Sequence, residues 1–309
     1  MQTFETNAII SALEINLKRH TPQAFLQDVY EYALLPPGKL FRPMLAWAMA
    51  SDFQAAPYPL GNTGGDLELF CCALEVHHAY TLIHDDLPAM DNDDYRRGKL
   101  TVHKKFGQWQ AILAGDGLLN LSYRLLAMME RPNNKQLIKI FAWAMGPKGL
   151  IHGQAMDLGQ FATKGINEIL HIHTLKTGRL IQLALLGGIV IGKNGSLQFS
   201  DVKIALRLGE TLGILFQLLD DLNELADSNL PEHEMMINPW LKWPEQALNL
   251  SLALMLKLQK NIQRYELNYL KQSLAPWLKK NQEQIIKNKL PEKFKILPLM
   301  QAFDAFKLG

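Results

Sequence analysis

Five aspartates lie within ten residues of the chain, between Asp85 and Asp94, directly after an apolar stretch. Two carboxylates about 4 Å apart repel each other by roughly 4 kcal/mol at an effective dielectric near 20, and bound cations relieve that repulsion. The donors are hard oxygens with no cysteine among them, which suits Mg²⁺ better than Zn²⁺. Arg96 and Arg97 follow at once, and two guanidinium groups beside metal-binding acids favour the binding of a diphosphate.

A second acidic pair stands far downstream. Asp220 and Asp221 end another apolar stretch, and Glu224 lies four residues after Asp220, on the same helix face. Two acidic clusters facing each other across a helical bundle could hold several Mg²⁺ ions and one diphosphate. Without this second pair, the first cluster would fit a solvated acidic turn equally well.

Basic residues occur at two further places. Lys39 and Arg42 are three residues apart in the stretch 38–43, at a loop-to-helix start that favours anions. Lys176 precedes Thr177 and Gly178 inside a helical pattern, where a lone lysine is more often a surface residue.

The elements that must position these residues are helices. Apolar residues recur at helical spacing, and no strand alternation or internal repeat is found. A helix is expected to begin at Thr21-Pro22 and to end at 36–38. Further helices are expected over about 42–53, 67–84, 109–130, 135–145, 166–187, 198–225, 244–270 and 272–288, with loops at 55–65 and 226–242. We therefore expect an all-α fold, a single large bundle of long helices around a central cavity, as one domain over residues 1–309.

Composition narrows the class of protein. Of the 309 residues 48% are hydrophobic, which allows a large core, and 32 basic residues against 30 acidic ones give no reason to expect nucleic acid or membrane insertion. Cys71 and Cys72 are adjacent, so they fit two core thiols in a reducing compartment better than a disulfide. The first residues lack a signal-peptide pattern, and the apolar run from Leu180 to Gly192 is too short to span a bilayer. A soluble cytoplasmic protein is expected.

These motifs together resemble those of the trans-prenyl diphosphate synthases, most closely the bacterial farnesyl diphosphate synthases. The similarity covers about residues 30 to 225, and its motifs follow in the order of the family. They are Gly-Lys-x-x-Arg-Pro at 38–43, the run from His78 to Asp91, Arg96-Arg97-Gly98, Gly153-Gln154-x-x-Asp157, Lys176-Thr177-Gly178 and Phe216-Gln217-x-x-Asp220-Asp221. A lone Asp-Asp-x-x-Asp would be weak evidence, whereas this ordered set is specific.

The resemblance implies the isoprenoid synthase fold, usually as a homodimer, and a head-to-tail condensation of isopentenyl diphosphate with dimethylallyl or geranyl diphosphate to give farnesyl diphosphate. It also implies a role for each matching residue. The metal ligands, for three Mg²⁺ ions that grip the allylic diphosphate, would be Asp85, Asp86, Asp91, Asp220 and Glu224. Arg96 and Lys176 would support that diphosphate. The diphosphate of isopentenyl diphosphate would contact Lys39, Arg42, His78 and Arg97. Thr177 and Gln217 would face the developing carbocation. Gln154 and Asp157 would buttress the metal cluster.

The implied chemistry needs no catalytic histidine. Cations stabilise the leaving diphosphate, an apolar cavity protects the allylic cation from water, and the released diphosphate can take the proton. Tyr80 lies five residues before Asp85, about 7.5 Å along the helix, and with Thr81 it would close the floor of the product cavity. In the family an aromatic residue there accompanies short, chiefly C15, products. Tyr80 as an ordinary core residue is the alternative.

Three departures from the family pattern are visible. Glu224 stands where the family has aspartate, and Pro37 replaces the first glycine before Gly38. No lysine or arginine occurs from Asp220 to Lys242, where the family has lysines that reach the allylic diphosphate. Two alternatives therefore remain. One is a degenerate paralogue that serves as a non-catalytic partner subunit; the other is a class I terpene synthase, although the second motif does not fit its pattern.

Overall fold

The computed structural model describes residues 3–21, 26–62, 64–132, 134–159, 165–193, 197–226, 235, 237–291 and 294–308. The chain forms two compact units, each with its own core. Unit 1 comprises Met1–Ile140 and Gly187–Leu197, and unit 2 comprises Phe141–Leu186 and Gln198–Gly309. The prediction of one domain over the whole chain stays a prediction.

The described residues are helical apart from one short hairpin and the connecting loops. In chain order the elements are α1 Thr6–His20, α2 Gln27–Leu34, α3 Phe41–Gln54, α4 Asp66–Asp85, β1 Tyr95–Arg96, β2 Lys99–Leu100, α5 Val102–Phe106, α6 Gln108–Ala127, α7 Asn134–Met145, α8 Leu150–Leu158, α9 Ile166–His173, a π-helical turn Thr174–Gly178, α10 Arg179–Lys193, α11 Phe199–Glu224, α12 Pro239–Lys242, α13 Pro244–Arg264, α14 Asn268–Lys287 and α15 Leu297–Leu308.

Helix α4 is the central element of unit 1, and it packs against α1, α3 and α6. It is buried on most of its surface, which explains why its sequence is apolar on more than one face. Asp66 and Glu68 lie in its first turn, where acidic groups interact favourably with the helix dipole. The close approach of α6 depends on Gly115, because a Cβ at this position would overlap the ring of His84.

The π-helical turn is the central feature of unit 2. It packs against α8 and α11, and a glycine on each of these two helices allows the contact. A Cβ at Gly153 would lie 2.9 Å from the backbone nitrogen of Lys176, and a Cβ at Gly213 would lie 2.5 Å from Cα of Gly178. The turn carries the Lys176-Thr177-Gly178 motif, and π-helical turns frequently occur at functional sites.

Most predicted helices are confirmed within a few residues, and the all-α class holds for the described residues. Four differences are corrections. The helix predicted over 166–187 reaches Lys193 and contains the π-helical turn. The helix predicted over 244–270 ends at Arg264. The expected loop at 226–242 contains the short α12, and α5, α8, α15 and the hairpin were not predicted. Pro22, the predicted start of the second helix, lies outside the described residues.

Among the described residues one helical stretch, Ile166–Lys193, is long and apolar enough to cross a membrane by these criteria alone. Of its most apolar window 78% is buried inside the protein. It therefore fits a core helix.

Candidate active site

The β1–β2 hairpin places two arginines beside α4. Its turn residues, Arg97 and Gly98, both have positive φ angles, as the tight turns of two-residue hairpins require. A Cβ at Gly38 would lie only 2.6 Å from Nη1 of Arg97, so the absence of a side chain at Gly38 leaves room for the guanidinium group. The structure thus brings the Gly-Lys-x-x-Arg-Pro motif and the Arg-Arg-Gly motif together.

Asp86 is held by the first of these arginines. Arg96 donates from Nε to Asp86 Oδ1 at 2.5 Å and from Nη2 to Asp93 Oδ2 at 3.1 Å. Asp86 is 3% exposed. Burial raises the pKa of its carboxyl group to about 6, and Arg96 opposes this shift. The guanidinium group therefore bridges two members of the acidic cluster.

Asp85 and Asp91 lie at the two ends of a tight loop. Asp85 is the last residue of α4, as predicted, and its backbone oxygen accepts a hydrogen bond from Asp91 N at 2.9 Å. Inside the loop, Leu87 O accepts hydrogen bonds from Met90 N and Asn92 N. The backbone thus fixes the spacing of Asp85 and Asp91, and both residues are half-buried.

A second cationic group in unit 1 surrounds His78. Burial lowers the pKa of His78 well below its usual range, and Arg42 and Arg97 lower it further, so His78 is neutral. Burial raises the pKa of Glu75, and the same two arginines lower it. Lys39, the other residue predicted to bind this diphosphate, is exposed.

Tyr80 and Thr81, the predicted determinants of chain length, are both buried. The Tyr80 ring makes edge contacts with the rings of His77 and His84, at centroid distances of 4.8 and 5.4 Å. Thr81 Oγ1 donates to His78 O at 2.8 Å, so its hydroxyl group is satisfied within α4. The aromatic ring is therefore held in a defined position.

A pocket of about 250 Å³ opens beside this site in unit 1. Asp86, Arg96 and Arg97 form its polar side, and Pro36 and Ile83 are among its apolar residues.

In unit 2, Lys176 and Asp157 form an ion pair. Lys176 Nζ lies 2.6 Å from Asp157 Oδ2, and both side chains are half-buried. Gln154, on the same helix as Asp157, is 8% exposed, and neither of its side-chain polar atoms has a hydrogen-bond partner within the described part of the chain. Two predicted motifs thus meet at the π-helical turn.

A chain of hydrogen bonds continues from that turn to the end of α11. Thr177 Oγ1 donates to Gln217 Oε1 at 3.1 Å, and Gln217 Nε2 donates to Asp221 Oδ1 at 2.8 Å. His173 Nε2 lies 3.8 Å from Asp221 Oδ2. Burial lowers the pKa of His173 to about 4, so the imidazole is neutral near pH 7. The structure thus brings Thr177 and Gln217 together, while their role beside a carbocation stays a prediction.

Asp220 and Glu224 are half-buried residues near the end of α11. Residues 238–240, further along the chain, form hydrogen bonds to the backbone of this helix. Asn238 Nδ2 donates to Asp221 O at 2.9 Å, and Trp240 Nε1 donates to Leu218 O at 2.7 Å. Part of the interval without lysine or arginine, residues 227–234, lies outside the described residues.

The donor set of the first motif fits Mg²⁺. Among the residues that the structure describes, no group of three or more His, Cys, Asp or Glu side chains is arranged to hold a metal by itself. Mg²⁺ does not need such a cage, because it keeps several waters and binds through one or two carboxylates together with substrate phosphates. Asp85 and Asp91, fixed at the ends of one loop, provide carboxylates of this kind.

Sequence reasoning missed Glu75 and His173, and it gave Asp221 only as a member of the second acidic pair. Glu75 lies three residues before His78 on α4, and that spacing on an apolar helix was the available signal. Asp221 lies four residues after Gln217, on the same face of α11. His173 lies three residues before Lys176 in the same helical stretch, and that spacing was the available signal.

Comparison with known proteins agrees with this fold. The family profile "Polyprenyl synthetase" matches residues 23–231. A farnesyl diphosphate synthase of Micrococcus luteus is 38% identical over 68% of this chain and 70% of its own. A chloroplastic geranylgeranyl pyrophosphate synthase of Catharanthus roseus is 32% identical over 73% of this chain and 62% of its own. A crystal structure of geranyltransferase from Helicobacter pylori, complexed with magnesium and isoprenyl diphosphate, superposes with a TM-score of 0.69 at 27% identity, over 91% of this chain and 95% of that one.

The helical architecture is the isoprenoid synthase fold, and the ordered motifs are those of a prenyltransferase. The chain belongs to the polyprenyl synthetase family. Its relatives include synthases of two product lengths, so membership alone does not fix the product.

Proposed function

We propose that this protein condenses isopentenyl diphosphate head-to-tail with dimethylallyl or geranyl diphosphate and releases farnesyl diphosphate (C15) and diphosphate. The observation that carries the proposal is the contact of Gly38 with Arg97, next to the Arg96–Asp86 pair. This contact places the basic residues proposed for isopentenyl diphosphate next to the acidic residues proposed for the metal ions of the allylic diphosphate. A condensation of two diphosphate substrates needs both groups.

In unit 1, we assign Lys39, Arg42, His78 and Arg97 to the diphosphate of isopentenyl diphosphate. A neutral His78 donates one N–H to a phosphate oxygen, and the arginines supply charge and bidentate geometry. Arg96 supports the allylic diphosphate. Its two contacts with Asp86 and Asp93 hold the guanidinium group in place before substrate arrives.

Asp85, Asp86 and Asp91 in unit 1, with Asp220 and Glu224 in unit 2, are the proposed ligands of Mg²⁺, three ions in all. The carboxylates are hard oxygen donors, and the Helicobacter pylori neighbour is complexed with magnesium. Bound Mg²⁺ supplies neutralisation of the negative charge on the leaving diphosphate. Glu224 is one methylene longer than the family aspartate, so its reach to a metal differs from that of Asp220.

In unit 2, Lys176 supports the allylic diphosphate, while Asp157 keeps its ammonium group in place. Thr177 and Gln217 present oxygen atoms to the positive charge that develops as the allylic C–O bond breaks. The double bond of isopentenyl diphosphate then forms the new C–C bond. A proton leaves the adjacent carbon, and the released diphosphate accepts it.

The C15 product length rests on Tyr80. Its ring is wedged between His77 and His84 on α4, so it cannot swing aside without displacing a neighbour. With Thr81 it would end the space for the growing chain. Tyr80→Ala should therefore yield products longer than C15, measured by chromatography of the dephosphorylated alcohols, whereas Tyr80→Phe should keep C15. An unchanged product length in Tyr80→Ala would assign this residue to the core alone.

We also propose a cytoplasmic homodimer. Three large apolar residues of α6, Trp109, Ile112 and Leu113, are 52%, 44% and 47% exposed and share one helix face. An exposed apolar stripe of this kind fits a protein interface. Sedimentation velocity should give a dimer for the protein and a monomer for Leu113→Lys; a monomeric protein would refute this part of the proposal.

The test of the reaction is incubation of the purified protein with Mg²⁺, isopentenyl diphosphate and, separately, dimethylallyl or geranyl diphosphate. We expect a C15 product from either primer, lost by at least about 10³-fold in Asp85→Ala. Glu14→Ala, an exposed acid on α1, is the matched control and should remain active. If the folded protein forms no product with either primer over a range of Mg²⁺, the condensation proposal is wrong. Activity restored only by a second polypeptide would indicate a partner subunit instead.

A further inference from the structure

The second acidic motif contains one carboxylate with no role assigned so far. We infer that Asp221 is a positioning residue, which fixes the orientation of the Gln217 amide beside Thr177 and acts on the reaction through that amide. The inference rests on the proposed function for its chemical meaning and on the contacts of unit 2 for its geometry.

Two contacts hold the Gln217 amide from opposite ends. An amide has one acceptor end and one donor end. Gln217 Oε1 accepts from Thr177 Oγ1 at 3.1 Å, while Gln217 Nε2 donates to Asp221 Oδ1 at 2.8 Å. A flipped amide would point Nε2 at the Thr177 hydroxyl and Oε1 at a carboxylate oxygen, which repels it. The charge of Asp221 therefore selects a single orientation.

This orientation has a consequence for Thr177. Its hydroxyl proton is committed to Gln217, so the lone pairs of Thr177 Oγ1 and the second lone pair of Gln217 Oε1 remain for a positive charge. Dipoles that are fixed before the reaction stabilise developing charge without the cost of reorganisation. Without Asp221 the amide could turn, and its N–H groups would then oppose the cation.

Asp221 is itself held firmly. Its side chain is buried, with 6% of the residue exposed, and its backbone oxygen accepts a hydrogen bond from Asn238 at 2.9 Å. Its neighbour Asp220 is half-buried and points about 100° away around α11. Adjacent carboxylates on a helix face different surroundings, so the two residues of this pair can be tested separately.

The test compares Asp221→Asn, Asp221→Leu, Gln217→Met and the double variant Asp221→Asn/Gln217→Met. Asn keeps the shape and one acceptor oxygen, and Leu keeps neither charge nor acceptor. We expect kcat to fall by about 10- to 100-fold in Asp221→Asn and further in Asp221→Leu, as is typical when the partner of a site residue is lost. In the Gln217→Met background, the added Asp221→Asn change should lower kcat by less than about 2-fold, because the effect passes through Gln217.

The Mg²⁺ concentration at half-maximal rate distinguishes positioning from metal binding. It should stay unchanged in Asp221→Asn and rise in Asp220→Asn. Glu210→Gln, the same carboxylate-to-amide change at an exposed position of α11, should leave both kcat and this concentration unchanged. Additive losses of kcat in the double variant, or a raised Mg²⁺ requirement in Asp221→Asn, would overturn the inference.

Thermal unfolding of the wild type, Asp221→Asn, Gln217→Met and the double variant separates this inference from the proposed function. Shifts in Tm should be non-additive if Asp221 and Gln217 are coupled, whether or not condensation occurs. A folded wild type without activity would refute the condensation. Additive Tm shifts would refute the positioning role, because they would show that the two side chains act independently.

Discussion

The two acidic motifs of this protein end two apolar helices in the same way, yet their second aspartates do different things. In unit 1, Asp86 pairs with a cation, Arg96, whose guanidinium group also contacts Asp93. In unit 2, Asp221 accepts from a neutral amide, Gln217. Both carboxylates are buried, so each must be satisfied by a partner. The difference lies in the charge of that partner.

This difference indicates a division of labour. Unit 1 contains acids together with Arg96, Arg97, Arg42 and Lys39, so it carries the groups that we propose bind metal and diphosphate. Unit 2 contributes Lys176, already paired with Asp157, and lacks basic residues between Asp220 and Lys242. Its site is built from a hydroxyl group and an amide. We expect changes in unit 1 to weaken substrate and metal binding most, and changes in unit 2 to lower kcat or stability.

The largest expected effect is a difference between Asp91 and Glu224, the last acidic residues of the two motifs. Asp91→Ala should lower kcat/KM by about 10³-fold, because its carboxylate is held at a fixed distance from Asp85 by the loop between them. Glu224→Ala should lower it by less than about 10-fold, since this longer side chain already departs from the family pattern. Steady-state rates at saturating Mg²⁺ measure both. Equal losses would remove the proposed asymmetry.

A smaller effect comes from one glycine in each unit. Gly38→Ala should raise the KM for isopentenyl diphosphate by about 10-fold, because a Cβ at this position displaces the Arg97 guanidinium group. The free energy of unfolding should hardly change, because the guanidinium group is the end of a flexible side chain that can move. Gly213→Ala should lower the free energy of unfolding by about 1–3 kcal/mol, because its Cβ meets the backbone of Gly178. Substrate kinetics and urea unfolding of both variants give the comparison. A stability loss confined to Gly38→Ala would contradict it.

The smallest effect concerns one buried histidine in each unit. Burial lowers the pKa of His77 to about 3 and of His173 to about 4, from 6.5. Below about pH 6.5 the unfolded chain binds these protons and the folded protein does not, so acid favours unfolding. The two neutral histidines therefore stabilise the protein fully above pH 6.5. As the pH falls below 6.5, the free energy of unfolding decreases by about 1.4 kcal/mol per pH unit for each histidine, until the pH reaches the pKa of that histidine in the folded protein. Urea unfolding at several pH values between 7 and 5 gives the slope of the free energy of unfolding against pH. In His77→Gln this slope should be smaller by the contribution of one proton. A pH dependence of stability that is the same in His77→Gln as in the wild type would show that His77 is not held neutral in the folded protein.

Local patterns predicted most of the helices because caps and apolar periodicity are local signals. Helix α4 was expected over 67–84 and spans Asp66–Asp85, and α11 was expected over 198–225 and spans Phe199–Glu224. The break after Arg264 was missed because no proline or glycine marks it; Glu266 takes a positive φ instead. Pro276, a residue that usually ends helices, lies inside α14, so tertiary packing overrides its preference.

The candidate site could be predicted as a set of residue types but not as a set of pairs. Motif spacing predicted Asp86 and Arg96, because both lie in a dense run of charged residues, and the family resemblance added Gln217. Which oxygen each side chain contacts depends on rotamers and on burial, and neither is written in the spacing. The role of Gly38 also became clear only from the guanidinium group that occupies the place of its missing side chain.

The π-helical turn Thr174–Gly178 amounts to one residue more than an α-helix would hold over the same length. Each residue turns a helix by about 100°, so removing one residue there would rotate everything after it by that angle. Gly188 and Gly192, which lie against backbone atoms of α3, would then be replaced at that contact by bulkier side chains. The extra residue of this turn therefore determines which residues of α10 face α3. A relative without the turn must carry its small residues one position earlier. A sequence alignment without a gap at the turn would then pair the wrong residues along α10.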